Sequence, residues 1–220
     1  NIALEKVYKT IANNGKILFV STKKQASEAI SEVAKETNQY FENYRWLGGM
    51  LTNWGTISGS IKKLKKIDTD LVSENRGFTK KELLKMSVQR DKLQRSLGGI
   101  SEMKKVPDLV FIIDTNYESL AIKESIKLGI PIVAILDTNS DPEGIEFPIP
   151  GNDDARRSID LYCSLIKETI ENAKKDAPNK TEEKPSVDIK KNDSKKKTIQ
   201  DTDREKLDAK FAKKDTTKLN

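Results

Sequence analysis

Arg45-Trp46-Leu47-Gly48-Gly49-Met50-Leu51-Thr52-Asn53-Trp54 marks the place where a strand pattern gives way to a long helical one. The chain's two tryptophans stand either side of a glycine pair. Glycine in such a position points to a backbone turn closed to other residues, or to close approach by another chain. Trp46 and Trp54 read as core anchors at a junction, which leaves Arg45 and the two glycines for function. Beyond the junction, Lys and Arg recur at helical spacing until a second pair, Gly98-Gly99.

Between the two glycine pairs the apolar pattern predicts two helices, over residues 53–71 and 80–97. Trp54, Ile57, Ile61, Leu64 and Leu71 repeat in threes and fours along the first, and Leu83, Met86, Leu93, Leu97 and Ile100 along the second. That is the seam of a short antiparallel coiled coil, interrupted by Asp68 and Arg90. Ser73-Glu74-Asn75-Arg76-Gly77 has the composition of the intervening turn. Thr79 with Glu82 forms a capping-box signature, and Phe78 with Leu83 a hydrophobic staple. Lys62, Lys63, Lys65, Lys66, Lys80, Lys81, Lys85, Lys92 and Arg95 fall outside the seam and are not needed for it.

On either side of this arm the sequence alternates between strand and helix. Residues 1–13 carry a helical stripe, and Lys16-Ile17-Leu18-Phe19-Val20 is an apolar run suited to a buried parallel strand. A helix begins near Lys23-Lys24, followed by a strand over residues 40–46. After the arm, residues 108–114 and 130–137 read as strands, each ending in an aspartate. Residues 145–150 form a short fifth strand, whose prolines suit an edge. The last helix displays Ile159, Tyr162, Cys163, Ile166 and Ile170, with Cys163 reading as a core thiol. From about Asp176 apolar residues almost vanish, so residues 176–220 read as a disordered charged tail.

Charged residues make up 34% of the 220-residue chain and apolar residues 35%, and the excess polarity lies in the arm and tail. Net charge is +6, yet residues 53–105 alone carry +7 and residues 106–175 carry −6. A polyanion is the natural partner of such a distribution. A single cysteine fits a reducing compartment, and the absence of histidine removes the commonest general base and metal ligand. No apolar run approaches a membrane span, and no signal peptide opens the chain. The chain opens on Asn1 and not on Met, so its true N-terminus is expected to lie upstream.

No glycine-rich phosphate motif accompanies the first strand–helix turn. Asp114 and Asp137 end neighbouring strands at the edge where doubly wound folds bind ligands. One reading is a receiver-like or nucleotide-binding α/β enzyme using these two carboxylates. The other is that they cap the loops that follow, and the sequence shows no third ligand or lysine beside them. No metal cluster and no nucleophile–base set is legible, so the reading is non-enzymatic, with no cofactor, metal or small-molecule substrate.

Residues 16–21, residues 45–54, Ser96-Leu97-Gly98-Gly99-Ile100, residues 107–114, Asp137-Thr138-Asn139-Ser140-Asp141-Pro142 and Ile149-Pro150-Gly151-Asn152-Asp153-Asp154-Ala155 resemble the bacterial small-subunit ribosomal protein S-two family. The likeness runs in order over nearly all of residues 1–175. It implies a flavodoxin-like parallel sheet of order 2-1-3-4-5 with the coiled-coil hairpin inserted after the second strand. The body would comprise residues 1–52 and 99–175, and the hairpin residues 53–98. The resemblance also implies a cytoplasmic small ribosomal subunit, or an organellar one, with the protein between head and body on the solvent side. There it would bind 16S ribosomal RNA and neighbouring ribosomal proteins, and support docking of the messenger-binding protein S-one in translation initiation. Family members carry a further stretch before Ile2, with a Gly-Val-His-Phe-Gly-His-like segment. The cations expected to meet RNA phosphates are Lys23, Lys24, Arg45, Lys62, Lys63, Lys65, Lys66, Arg90, Arg95, Arg156 and Arg157. Arg90 has a second reading, as the partner of an acid within the arm.

Overall fold

The computed structural model describes residues 1–72 and 77–176, which fall in one compact unit. The expected turn at residues 73–76 and the expected tail from residue 177 onward lie outside the described residues. The elements run in the order α1 (Ile2–Ala12), β1 (Ile17–Val20), α2 (Lys24–Glu36), β2 (Tyr40–Glu42), α3 (Trp54–Val72) and α4 (Lys80–Leu97). A 3-10 turn over Gly98–Ile100 leads to β3 (Leu109–Ile113), α5 (Ser119–Leu128), β4 (Ile132–Leu136), β5 (Phe147–Pro150) and α6 (Arg156–Asp176). The five strands form one parallel sheet of order β2-β1-β3-β4-β5. This is the doubly wound, flavodoxin-like order.

Side chains of a strand alternate between faces, and here they supply two cores. Ile17, Phe19, Leu109, Phe111, Ile113, Val133 and Ile135 pack against α1, α2 and α6. On that face Phe19 and Phe111 meet edge to face, ring centres 5.5 Å apart, and Cys163 is buried, its thiol pushed up to about 12 by burial. Leu18, Val20, Val110, Ile112, Ile132, Ala134 and Leu136 face the other way. They are covered by Trp46, Met50 and Leu51, by Ile57, Ile61 and Leu97 at the base of the arm, and by Ala121 and Ile122 of α5. The inserted helices therefore occupy a layer position that a crossover helix would otherwise fill.

α3 and α4 run antiparallel. Asp68 near the end of α3 accepts a hydrogen bond from Arg90 at 2.7 Å, whereas Ile57 and Ile61 near its start share a core with Leu93 and Leu97. The two polar interruptions of the expected seam thus pair with each other. Thr79 and Glu82 form the expected capping box at the start of α4. Burial is uneven along the pair: α3 buries Ile57, Ile61, Leu64 and Ile67, while α4 buries only Leu97, and Leu83 remains 38% exposed.

The second strand is shorter than the sequence pattern predicts, ending at Glu42 and not at Trp46. Glu42 is buried, and its carboxylate accepts the backbone N–H groups of Tyr44 and Arg45 at 3.1 and 3.0 Å. That side-chain bond competes with a sheet ladder and turns the chain out of the strand. Burial pushes this carboxyl up to about 7, against the effect of the two N–H donors.

After this turn the chain wraps a single carboxylate. Glu124 of α5 accepts hydrogen bonds from Trp46 Nε1 (3.1 Å) and from the backbone N–H of Gly49 (2.7 Å), Leu51 (2.9 Å) and Thr52 (3.0 Å). The Thr52 hydroxyl adds a fifth, at 3.1 Å. Gly49 sits at φ +82°, a left-handed conformation that lets its own N–H and those of Leu51 and Thr52 converge on one carboxylate while the Met50 N–H bonds the Leu47 carbonyl. Burial opposes ionisation of Glu124, but the donors outweigh it and its carboxyl is held below the usual range. A depressed folded value means that the stabilisation is present above the unfolded pKa and lost as pH falls through the folded one. Glu124→Gln is expected to lower stability by about 3 kcal/mol at pH 7, because donors built for an anion keep only part of their bonding. In thermal melts the gap to the native chain narrows below about pH 4.

Candidate nucleic-acid interface

The exposed cations of the arm lie on the side of α3 away from its apolar stripe. Ile57, Ile61 and Leu64 point inward, so Lys62, Lys63 and Lys66 emerge on the opposite surface. These three have no carboxylate partner among the described residues. Lys65 is exposed but pairs with Glu102 at 2.9 Å. Arg90 bonds Asp68 and stands 3.8 Å from Asp91, so its charge is spent within the arm. Arg95 is exposed and unpaired among the described residues, as are Lys24 on the first turn of α2 and the side chain of Arg45. Arg156 pairs with Glu28 at 2.8 Å, while its neighbour Arg157 has no carboxylate partner among the described residues. The expected cations thus divide into a free set, spread over α2, α3, α4, α6 and the segment after β2, and a set already neutralised.

Lys23 belongs to neither surface group. The sequence places it at a helix N-terminus, where phosphate contact is plausible. In the fold its ammonium turns inward and meets Asp114 at 3.0 Å, Asp153 at 3.1 Å and Asp154 at 2.5 Å. Its side chain is 12% exposed. Burial disfavours the charge, but the three carboxylates more than compensate and raise its pKa. Lys23 is therefore an internal counter-ion, its ammonium already engaged by three carboxylates.

Asp114 and Asp137 can now be placed. Asp114 adopts a left-handed backbone at φ +68°, and its Oδ1 accepts the N–H groups of Asn116 and Tyr117 at 3.0 and 3.1 Å. It caps the loop into α5 with one oxygen and holds Lys23 with the other. Asp137, Asp153 and Asp154 each present a carboxylate oxygen, the three within 4.8 Å of one another. Three such oxygens suit a hard divalent cation, with the Lys23 charge on their flank. Asp114 is not a member of this group, and Lys23 of the loop after β1 bonds two of its three carboxylates directly. Spacing along the chain carries no signal for this cluster, because its members come from different crossovers.

Glu118 completes this edge of the sheet, accepting the Thr22 N–H and hydroxyl, both at 2.6 Å. Burial raises its pKa, with the Thr22 donors acting in the opposite direction. The edge where a doubly wound enzyme would open a ligand crevice is bridged here by the protein's own ion pairs and hydrogen bonds. Among the described residues, no helix is long and apolar enough to cross a membrane.

Residues 1–173 match the family of ribosomal protein S2. The chain belongs to that family. Relatives named small ribosomal subunit protein uS2 include those of Gluconacetobacter diazotrophicus, 57% identical over 168 residues, and Rhodospirillum centenum, 59% identical over 165. A third, from Sinorhizobium medicae, is 58% identical over 164 residues. These matches cover 76%, 74% and 74% of this chain, and 65%, 63% and 64% of the respective relatives. The chain thus spans a little under two thirds of the length of these relatives. The matched region contains both the sheet and the inserted helices, and ends within α6.

Removing one member of the Lys23 cluster tests its structural weight. Lys23→Met leaves Asp114 and Asp153 buried without their cation and is expected to destabilise the fold by roughly 3–5 kcal/mol. Chemical denaturation at pH 7 measures it, and a change below about 1 kcal/mol would show that water or ions replace the ammonium.

Proposed function

We propose that this chain is a structural component of the small ribosomal subunit that binds ribosomal RNA through the arm. Support comes first from its family membership, since the relatives it matches are named small ribosomal subunit proteins. The observation that carries the reading is the face of α3 where Lys62, Lys63 and Lys66 stand exposed and unpaired, beside seam residues that are buried. A helical pair needs the buried residues for its own stability; it has no use for three bare ammonium groups. RNA helices offer phosphates and shape more than readable base edges, so scattered cations on a rigid rod suffice. Neutralising phosphates releases counterions and makes the affinity salt-sensitive.

On this reading residues 53–98 act as a coiled-coil hairpin held out from a body of residues 1–52 and 99–175. Arg45 and Arg95 add contacts near the base of the arm and Lys24 and Arg157 add contacts on the helices of the opposite face, while Lys65, Arg90 and Arg156 reach RNA only by exchanging an internal carboxylate for a phosphate. The partners are 16S ribosomal RNA and adjacent ribosomal proteins in a cytoplasmic subunit, with the messenger-binding protein S-one docking beside it. The function is non-catalytic: the family is that of a ribosomal protein, and the edge of the sheet closes on its own charges.

The triple change Lys62→Glu, Lys63→Glu and Lys66→Glu is expected to reduce co-sedimentation with small subunits at least about tenfold at physiological salt. Its melting temperature should stay within about 2 °C of the native chain, because the three side chains are exposed. Undiminished subunit binding by this variant would remove α3 from the interface.

A further inference from the structure

A groove of about 530 Å³ lies between α2, β2 and the end of α4. Its existence follows from the packing of the edge strand. β2 pairs only with β1, and its other side is met by the Gly98–Ile100 turn. The approach is so close that a Cβ at Gly99 would lie 2.0 Å from the Phe41 carbonyl oxygen. With bare glycine at this contact, the last turn of α4 and the side of α2 stand apart as two walls. Lys35 rises from one wall, Gln94 and Arg95 from the other, and Tyr44 stands at the mouth.

Tyr44 is 55% exposed, and its hydroxyl has no hydrogen-bond partner among the described residues. Its backbone is nevertheless fixed, because Glu42 holds its N–H at 3.1 Å from below. Lys35 rests over the Phe41 ring, its Nζ 5.5 Å from the ring centre. Neither Lys35 nor Arg95 has a carboxylate partner among the described residues, and Glu42, the one acid lining the groove, is buried and engaged with two backbone donors. The groove thus combines an anchored aromatic face, two cations on opposite walls and the Gln94 amide.

We propose that this groove seats one unpaired nucleotide of RNA, its base stacked on Tyr44 and its phosphate held between Lys35 and Arg95. The inference rests on the RNA-binding reading of the arm and adds to it a second mode of contact. An unstacked base offers a π face that an aromatic side chain matches, whereas a paired helix offers only phosphates and sugar edges. A cleft of this volume is of the size that takes a small ligand; a duplex would span it without entering. An acidic peptide would satisfy the two cations but leave the Tyr44 face uncovered.

The test uses the full chain and two fluorescent RNA probes, a short oligouridine and a fully paired hairpin, read by anisotropy at about 0.1 M salt. Tyr44→Ala is expected to weaken oligouridine binding about tenfold, while Tyr44→Phe keeps it and Arg95→Gln weakens it several-fold. The two Tyr44 variants leave hairpin binding within about twofold, since duplex phosphates meet α3 instead. The triple α3 lysine reversal should show the opposite pattern. Native oligouridine affinity in Tyr44→Ala, with the α3 variant still impaired for the hairpin, would overturn the groove and leave the arm reading intact. Failure of the native chain to bind either RNA would overturn both. Tighter binding of an oligoglutamate peptide than of oligouridine, lost on Arg95→Gln, would overturn the groove in favour of a protein partner.

Discussion

The architecture turns on one buried carboxylate. Glu124 gathers five donors from residues 46–52, and no other described side chain ties the segment leaving β2 to the body so densely. The physical logic is that of an anion in a nest of N–H groups: each bond to an ionised acceptor is stronger than a neutral one, and the set fixes a backbone path. That path delivers Trp46, Met50 and Leu51 to the second core and releases the chain at Trp54 as a helix. The direction in which α3 leaves the body is set at this point. Without the clamp, only the burial of Trp46, Met50 and Leu51 would offset the entropy of ordering a segment that carries two glycines.

A second group of charges does comparable work at the C-terminal edge of the sheet. Lys23 bridges the loops after β1, β3 and β5 by bonding Asp114, Asp153 and Asp154. In an enzyme of this architecture the same edge would be left open for a ligand. Here the loops are held together by an internal cation, and Glu118 binds Thr22 across the neighbouring gap. Asp114, Glu118, Glu124 and Asp153 thus spend their charge inside the fold, whereas the basic arm leaves much of its charge outside.

How much of this could be read from the chain depends on how local each signal is. The apolar runs of β1, β3 and β4 announce buried parallel strands because each is covered on both faces. The Thr79 capping box is legible for the same reason, all its atoms lying within four residues. The arm's helices and their lysines follow from periodicity. By contrast, Glu124 looks like an ordinary surface acid of an amphipathic helix, and nothing near it in sequence announces the donors that lie more than seventy positions away. Lys23 misleads in the same way: a lysine at a helix N-terminus beside another reads as a phosphate contact, and only the fold reveals three acids around it. β2 ends early because Glu42 folds back on its own turn, an event that strand propensity does not register.

In the proposed function, the sheet and its helices fix α3 so that its bare ammonium groups can meet a folded RNA. The most direct measurement is the density of this chain within a purified small ribosomal subunit. The account predicts Lys62, Lys63 and Lys66 within ion-pairing distance of phosphate oxygens, with the Glu124 clamp closed. Density showing that face of α3 in solvent, with RNA reaching the protein only at β5 or α6, would contradict it.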